Sequence, residues 1–246
     1  MRKTLTAGAV ALVTGASQGL GRAIARVLAR QGTKLILTAR GVAALQAVAD
    51  ELARLTEVVA LPGDVADADH ASRLVAEGLR RFGRIDALVN NASTIGPSPM
   101  PNLEAYSLDE LTRVFAVNTV APLHLSQLVL PQMRARGTGV IVNVTSDAAV
   151  QAYPGWGGYG ASKAALEHLS RVLAAELDGS GVRVYVVDPG DMNTQMHRDA
   201  EPGVDLSHLP GPEIAAPAIV RLIQHERSPF GRFEAQLPEP ALTHGR

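Results

Sequence analysis

The 246-residue chain contains no cysteine. Disulfides, thiolate metal sites and a cysteine nucleophile are thereby excluded, and a reducing compartment is the compatible setting. Aromatic residues are scarce, at 4%, and no Lys/Arg-rich cluster interleaves with them. The sequence therefore offers neither a base-stacking platform nor a basic nucleic-acid face. A formal net charge of −1 gives no field that would draw nucleic acid or anionic lipid. No uninterrupted apolar stretch approaches the roughly 18 residues of a membrane span. Arg2-Lys3 followed by Leu5 to Val13 has the outline of a secretory signal, but Thr6 and Gly8 interrupt it and it runs into a glycine loop rather than a cleavage site. The seven histidines are scattered without H-E-x-x-H, so no metal site is expected. A serine-hydrolase reading fails for lack of G-x-S-x-G. The expected protein is soluble and cytoplasmic, with neither nucleic acid nor membrane as partner.

Apolar residues make up 46% of the chain and charged ones 19%, a balance that suits a buried core. Short apolar runs alternate with amphipathic stretches from end to end. Val10–Val13 reads as a buried strand, and Gly19–Arg30 as a helix with Leu20, Ile24, Val27 and Leu28 on one face. Further strands are expected at 35–38, 58–61, 87–89, 140–144 and 182–187, and a seventh at Arg232–Leu237. Helices are expected at 42–54, 67–82, 108–136, 159–177 and 213–226. Asp67 is a candidate N-cap and Gly83 a stop, and Pro122 and Pro131 should kink or break the long helix. Such alternation predicts an α/β fold, one doubly wound parallel sheet with helices on both faces, forming a single domain over 1–246. Residues 191–212, polar and without periodicity, read as a functional loop, a substrate lid.

The polar motifs gather after strands. Gly15-Ala16-Ser17-Gln18-Gly19-Leu20-Gly21 joins strand one to helix one. Glycines there permit a tight turn and bring N–H groups to a pyrophosphate at the helix N-terminus, although an ordinary strand-to-helix turn is the plain alternative. A dinucleotide fold holds the adenosine ribose with a carboxylate after strand two, or a 2′-phosphate with an Arg. Ala39 leaves no carboxylate and Arg40 follows, so NADP(H) is expected over NAD(H), which remains possible. Asp64-Val65 can accept from the adenine amino group or simply form a turn. Asn90-Asn91-Ala92 follows strand four and offers donors and acceptors at the sheet edge. Asn118 is either a satisfied core amide or a water holder. Tyr159 and Lys163 stand four apart, hence on one helix face, with Ser146 upstream at a strand end. An ammonium beside a phenol favours the phenolate and draws its pKa down toward the working range, and a serine hydroxyl can polarise a substrate oxygen.

Taken together, Thr14–Gly21, Asp64, Asn90–Ala92, Asn118, Ser146, Tyr159–Lys163 and Pro189–Thr194 (P-G-x-x-x-T) resemble, in order and spacing, the short-chain dehydrogenase/reductase family over Val10 to about Glu226. Within that family the resemblance is to the compact members of the 3-oxoacyl-carrier-protein reductase kind. It implies an NADP(H)-dependent oxidoreductase acting on a carbonyl or secondary alcohol. It further implies that Tyr159 exchanges the proton and Ser146 positions the oxygen. Lys163 would tune Tyr159 and bind the nicotinamide ribose, while Asn118 holds a relay water. Asn91, Ala92, Pro189, Gly190, Met192 and Thr194 would contact the cofactor together with Gly15, Ser17, Gln18, Gly19, Leu20 and Gly21. Four departures stand out. Ser93 replaces a glycine, which reshapes the cleft. Gln18 stands where many NADP-preferring members carry a second basic residue. Asp147 follows Ser146 where small or neutral residues are common. The ending G-R-F-E-A-Q-L-P-E-P lacks the V-D-G-G type, which weakens a family tetramer contact. A homodimer through the long helices, or a homotetramer, is the expected assembly.

Overall fold

The computed structural model describes residues 8–236. Seven strands form one parallel sheet in the order β3-β2-β1-β4-β5-β6-β7. They are β1 (Val10–Thr14), β2 (Lys34–Thr38), β3 (Val58–Ala60), β4 (Ala87–Asn90), β5 (Gly139–Val144), β6 (Val182–Asp188) and β7 (Phe230–Glu234). β1, β4, β5 and β6 are buried along their whole length, which is why β1, β4 and β5 read as near-continuous apolar runs rather than alternating ones, while β6 carries Arg183 within its run. The helices are α1 (Gly19–Arg30), α2 (Val42–Leu52), α3 (Ala68–Phe82), α4 (Leu108–Phe115), α5 (Ala121–Arg136), α6 (Gly157–Glu176), α7 (Gln195–Ala200) and α8 (Pro212–His225). Successive β1 side chains serve opposite layers. Ala11 and Val13 join α1, α2 and α8 on one face, and Val10 and Leu12 join α3, α5 and α6 on the other. The strand order reverses between β1 and β4, so the carboxyl ends of those strands open a crevice in this Rossmann-type sheet.

Local signals place most boundaries. Asp67 caps α3 through its side chain, accepting from the Asp69 N–H at 2.9 Å, and Gly83 ends the helix in the left-handed conformation. Three expectations are corrected. The long helical stretch runs continuously from Leu108 to Arg136, and its irregularity is a π-helical turn at Ala116–Val120, ahead of the prolines. Pro122 stands directly after that π turn, near the start of α5, and the helix continues through it. This stretch is long and apolar enough to span a membrane by composition, yet Val114, Leu125, Val129 and Met133 are buried in the protein. Residues 191–212 are not all loop: Thr194 caps α7, accepting from the His197 N–H at 3.3 Å. A six-residue helix is too short to show a period. The seventh strand lies at Phe230–Glu234 rather than Arg232–Leu237, because its register follows β6, with Tyr185 opposite Gly231 and Val187 opposite Phe233. Leu237 and the rest of the chain's ending lie outside the described residues, as does the signal-like start at Arg2-Lys3.

Candidate active site

One cleft of about 1080 Å³ runs along the carboxyl edge of the sheet. Its first half is a main-chain construction. Thr14, at the end of β1, accepts the N–H groups of Asn91 (3.0 Å) and Ala92 (2.9 Å) on its hydroxyl. Asn91 returns its side-chain amide to the carbonyls of Thr14 (2.9 Å) and Gly15 (3.3 Å). The loops after β1 and β4 are thereby locked together. Gly21 is required by this closeness, since a Cβ there would lie 2.4 Å from the Gly15 oxygen and 2.5 Å from Asn91 Nδ2. The first bond of α1 runs from Arg22 N–H to the Gln18 carbonyl at 3.2 Å. The N–H groups of Gly19, Leu20 and Gly21 therefore have no partner within the helix, and Gln18 provides no side-chain cap. That is a cradle for an anion.

Arg40 is exposed on the rim of the cleft beside Ala39. Among the described residues its guanidinium has neither a hydrogen-bond nor an ion-pair partner. Asp64 lines the cleft, but its Oδ1 also accepts the Ala66 N–H at 3.0 Å, so the turn-forming alternative holds locally. Val65 and Ser17 line the same half. The two asparagines part ways. Asn91 faces the cleft, whereas Asn90 is buried and donates to Asn143 Oδ1 at 2.8 Å. Across the cleft, Thr194 Cγ2 is the nearest atom to a Cβ built at Gly19, at 3.8 Å. Pro189, Gly190 and Met192 form the wall between them. An anion cradle opening onto a long channel fits a dinucleotide.

The second half gathers side chains. Tyr159 and Lys163 lie one turn apart on α6, and both are buried. Lys163 Nζ donates to the Val144 carbonyl at 2.8 Å and stands 5.5 Å from the centre of the Tyr159 ring. Burial pushes the Lys163 ammonium down to about 8. The expected lowering of the Tyr159 pKa is not what the chain alone produces. Burial pushes that phenol up, the neighbouring hydroxyls of Ser146 and Ser93 act the other way, and the charges of Asp188 and Asp147 add to the rise. Ser146, at the end of β5, presents its hydroxyl to the cleft while donating to Asp147 Oδ1 at 2.9 Å.

Asn118 is fully buried in the π turn. Its oxygen accepts from Ser93 Oγ (3.0 Å) and Thr94 N–H (2.9 Å), and its amide donates to the Thr94 carbonyl (2.9 Å) and Ser162 Oγ (2.9 Å). Both donors and both lone pairs are thus in use, so the satisfied-amide reading describes its side chain. Ser93 supplies one of those bonds.

Sequence reasoning missed a buried ion network behind the site. Arg232 of β7 donates to Glu167 Oε1 at 3.0 Å and lies 3.5 Å from both Asp188 Oδ2 and the Ser146 carbonyl. Thr145 donates to the same Glu167 oxygen at 2.9 Å. Asp188 in turn accepts the Gly190 N–H at 2.9 Å. The partners are dozens of residues apart, so no local pattern announces them. Trp156 meets Tyr159 edge-on with ring centres 5.7 Å apart. Met196 and Ala200 of α7 pack into the same small cluster. No grouping of metal-ligating side chains occurs among the described residues.

Comparison with known proteins agrees with this geometry. The family model for short chain dehydrogenases matches residues 9–205. A 3-oxoacyl-[acyl-carrier-protein] reductase of Synechocystis is 35% identical over 78% of this chain and 78% of its own. Glycine betaine reductase ATRR of Emericella nidulans is 38% identical over 79% of this chain, which spans only 15% of that longer protein. A metagenomic short-chain oxidoreductase solved in complex with NADP superposes with a TM-score of 0.79, at 32% identity over 95% of this chain and 100% of the other. The chain belongs to the short-chain dehydrogenase/reductase family and is an oxidoreductase of that kind.

Proposed function

We propose that this chain, as one catalytic domain, interconverts a carbonyl and a secondary alcohol with NADP(H), reducing a ketone or 3-oxoacyl group as its preferred direction. The observation that carries this reading is the convergence of Ser146, Tyr159 and Lys163 on one end of a cleft whose other end is the glycine cradle and Arg40. A bound nicotinamide supplies or accepts the hydride. Tyr159 gives its phenolic proton to the substrate oxygen, or takes it back in the reverse direction. The Ser146 hydroxyl orients that oxygen. Lys163, charged below about 8, stabilises the phenolate as the proton leaves and offers its remaining N–H donors to the ribose. The Asn118 side chain has no free atom, so its part is to hold the loop after β4 against α6 beside the site.

Arg40, without a counter-charge among the described residues and next to Ala39, supports the choice of NADP(H) over NAD(H) by pairing with a 2′-phosphate. The presence of NADP in the metagenomic relative is consistent with it. Residues 191–212, with α7 seated against the Tyr159 cluster, act as the lid, and the working assembly is a homodimer or homotetramer.

NADPH oxidation across ketones, 3-oxoacyl thioesters, sugars and polyols tests the reading. Tyr159→Phe should lose at least about 100-fold in turnover, the scale of general acid–base catalysis, while still binding NADPH. Undiminished turnover in that variant overturns the role. A wild-type protein that binds NADPH and turns over none of the panel favours a non-catalytic cofactor-binding regulator.

A further inference from the structure

We infer that Asp147 makes this cleft selective for a carbonyl or alcohol substrate bearing a cationic group, a quaternary or protonated amine, close to the reacting carbon. The inference rests on the catalytic reading above and concerns the same pole of the cleft. Asp147 directly follows Ser146 and lines the cleft. Its carboxylate is held from three sides. Oδ1 accepts from Ser146 Oγ at 2.9 Å and from the Ala148 N–H at 2.8 Å, and Oδ2 accepts from the Tyr153 hydroxyl at 2.7 Å. All three donors are neutral. Among the described residues no Lys, Arg or His lies within ion-pair distance of Asp147. The result is a fixed negative charge facing the cavity with no counter-charge of its own.

The neighbouring charges do not cancel it. Asp188 already has Arg232, and Glu201 Oε2 lies 3.5 Å from His197 Nε2. Asp191 lines the same wall and adds a further negative charge. Arg198, the cation on the lid, is turned toward Asn193 and Gln195, its Nη1 lying 2.5 Å from Asn193 Oδ1. His208 also lines the cleft. Lys163 is buried and donates to a main-chain carbonyl. Two aromatic residues, Tyr153 and Trp156, line this wall, and an aromatic face attracts a cation and repels an anion.

This arrangement also couples substrate charge to chemistry. Ser146 has a single hydroxyl proton, and its bond to Asp147 keeps that proton from the substrate oxygen. A cation docked on Asp147 weakens the carboxylate's hold and lets the hydroxyl turn toward the reacting oxygen. A neutral substrate must win that proton unaided.

The test compares trimethylammonioacetone with its uncharged isostere, methyl neopentyl ketone. Trp156 is the only tryptophan in the chain and lines the cleft, so its fluorescence reports ketone binding to the NADP⁺ complex, where no turnover occurs. Wild type should bind the cationic ketone about tenfold more tightly, the scale of a charge-assisted contact. Asp147→Asn should bring the two affinities to within about twofold of each other. In NADPH-oxidation assays the cationic ketone should lead in kcat as well as in 1/KM. Equal or weaker binding of the cationic ketone by wild type overturns the proposal without recourse to the variant, and so does a preference that survives Asp147→Asn. A wild-type binding preference without turnover of either ketone supports it and counts against the catalytic reading alone. Equal binding with turnover intact overturns it and leaves the catalytic reading standing.

Discussion

At the glycine-loop end of the cleft, positions are fixed by main chain and short buried side chains: Thr14, Asn91 and Gly21 leave each other almost no room. At the tyrosine end, the outer wall is made of side chains on short, half-exposed pieces, with Asp147, Tyr153 and Asp191 bonded mainly to near neighbours or facing solvent. Only the inner floor of that end is rigid, where Tyr159, Lys163 and Asn118 are buried. The contrast separates what must be constant from what can vary. A dinucleotide has one shape, and a backbone cradle suits it. Substrates differ, and exposed side chains change without disturbing the sheet.

Three experiments break or sharpen that contrast. The largest effect belongs to Gly21→Ala. Its Cβ meets a main-chain oxygen at 2.4 Å and the Asn91 amide at 2.5 Å, and neither can yield without moving the loop. Overpacking of about 1–3 kcal/mol should weaken both NADPH and NADH by roughly ten- to a hundredfold, read by calorimetric titration. If affinity for both is retained, the cradle is not rigid.

Arg40→Ala should be selective. Loss of a charge-assisted contact weakens NADPH by about tenfold and leaves NADH nearly unchanged. Equal losses would remove Arg40 from 2′-phosphate recognition.

The smallest effect is on stability. Lys163 in the folded chain has its pKa pushed below the usual lysine value, to about 8, by burial. Between about 8 and the unfolded value near 10.4, the unfolded chain binds more protons, so stability rises with pH. The cost of burying the ammonium is fully present below about 8 and is relieved above it. The melting temperature of wild type should therefore climb a few degrees relative to Lys163→Met between pH 8 and pH 10. Parallel curves would mean that the ammonium is not desolvated.

Much of the fold was legible because it is local. β1, β4 and β5 are buried on both faces and read as apolar runs, and Asp67 and Gly83 mark the ends of α3 as their chemistry dictates. Gly15, Asn91, Ser146 and Pro189 each follow a strand along the chain, which was enough to place them on one sheet edge. Other features depend on distant partners. The π turn around Asn118 is not marked by the prolines that follow it, and α7 is too short to have a period. The link from Arg232 to Glu167 spans 65 positions. The direction of the Tyr159 shift was misread because helical spacing reports the nearby ammonium and not the depth of burial.

The Arg232 network has a consequence for the order of assembly. Glu167 and Asp188 are both buried, and Arg232 ties them together from the last strand of the sheet. During synthesis β1 to β6 emerge first. Glu167 then already has Arg171 one turn along α6, but Asp188 must wait for a cation supplied more than forty residues after it. Until β7 docks, burying Asp188 is unfavourable, and the Ser146 turn above it lacks its support. The reacting end of the cleft is therefore completed by the arrival of the final strand, well after the glycine cradle could have closed.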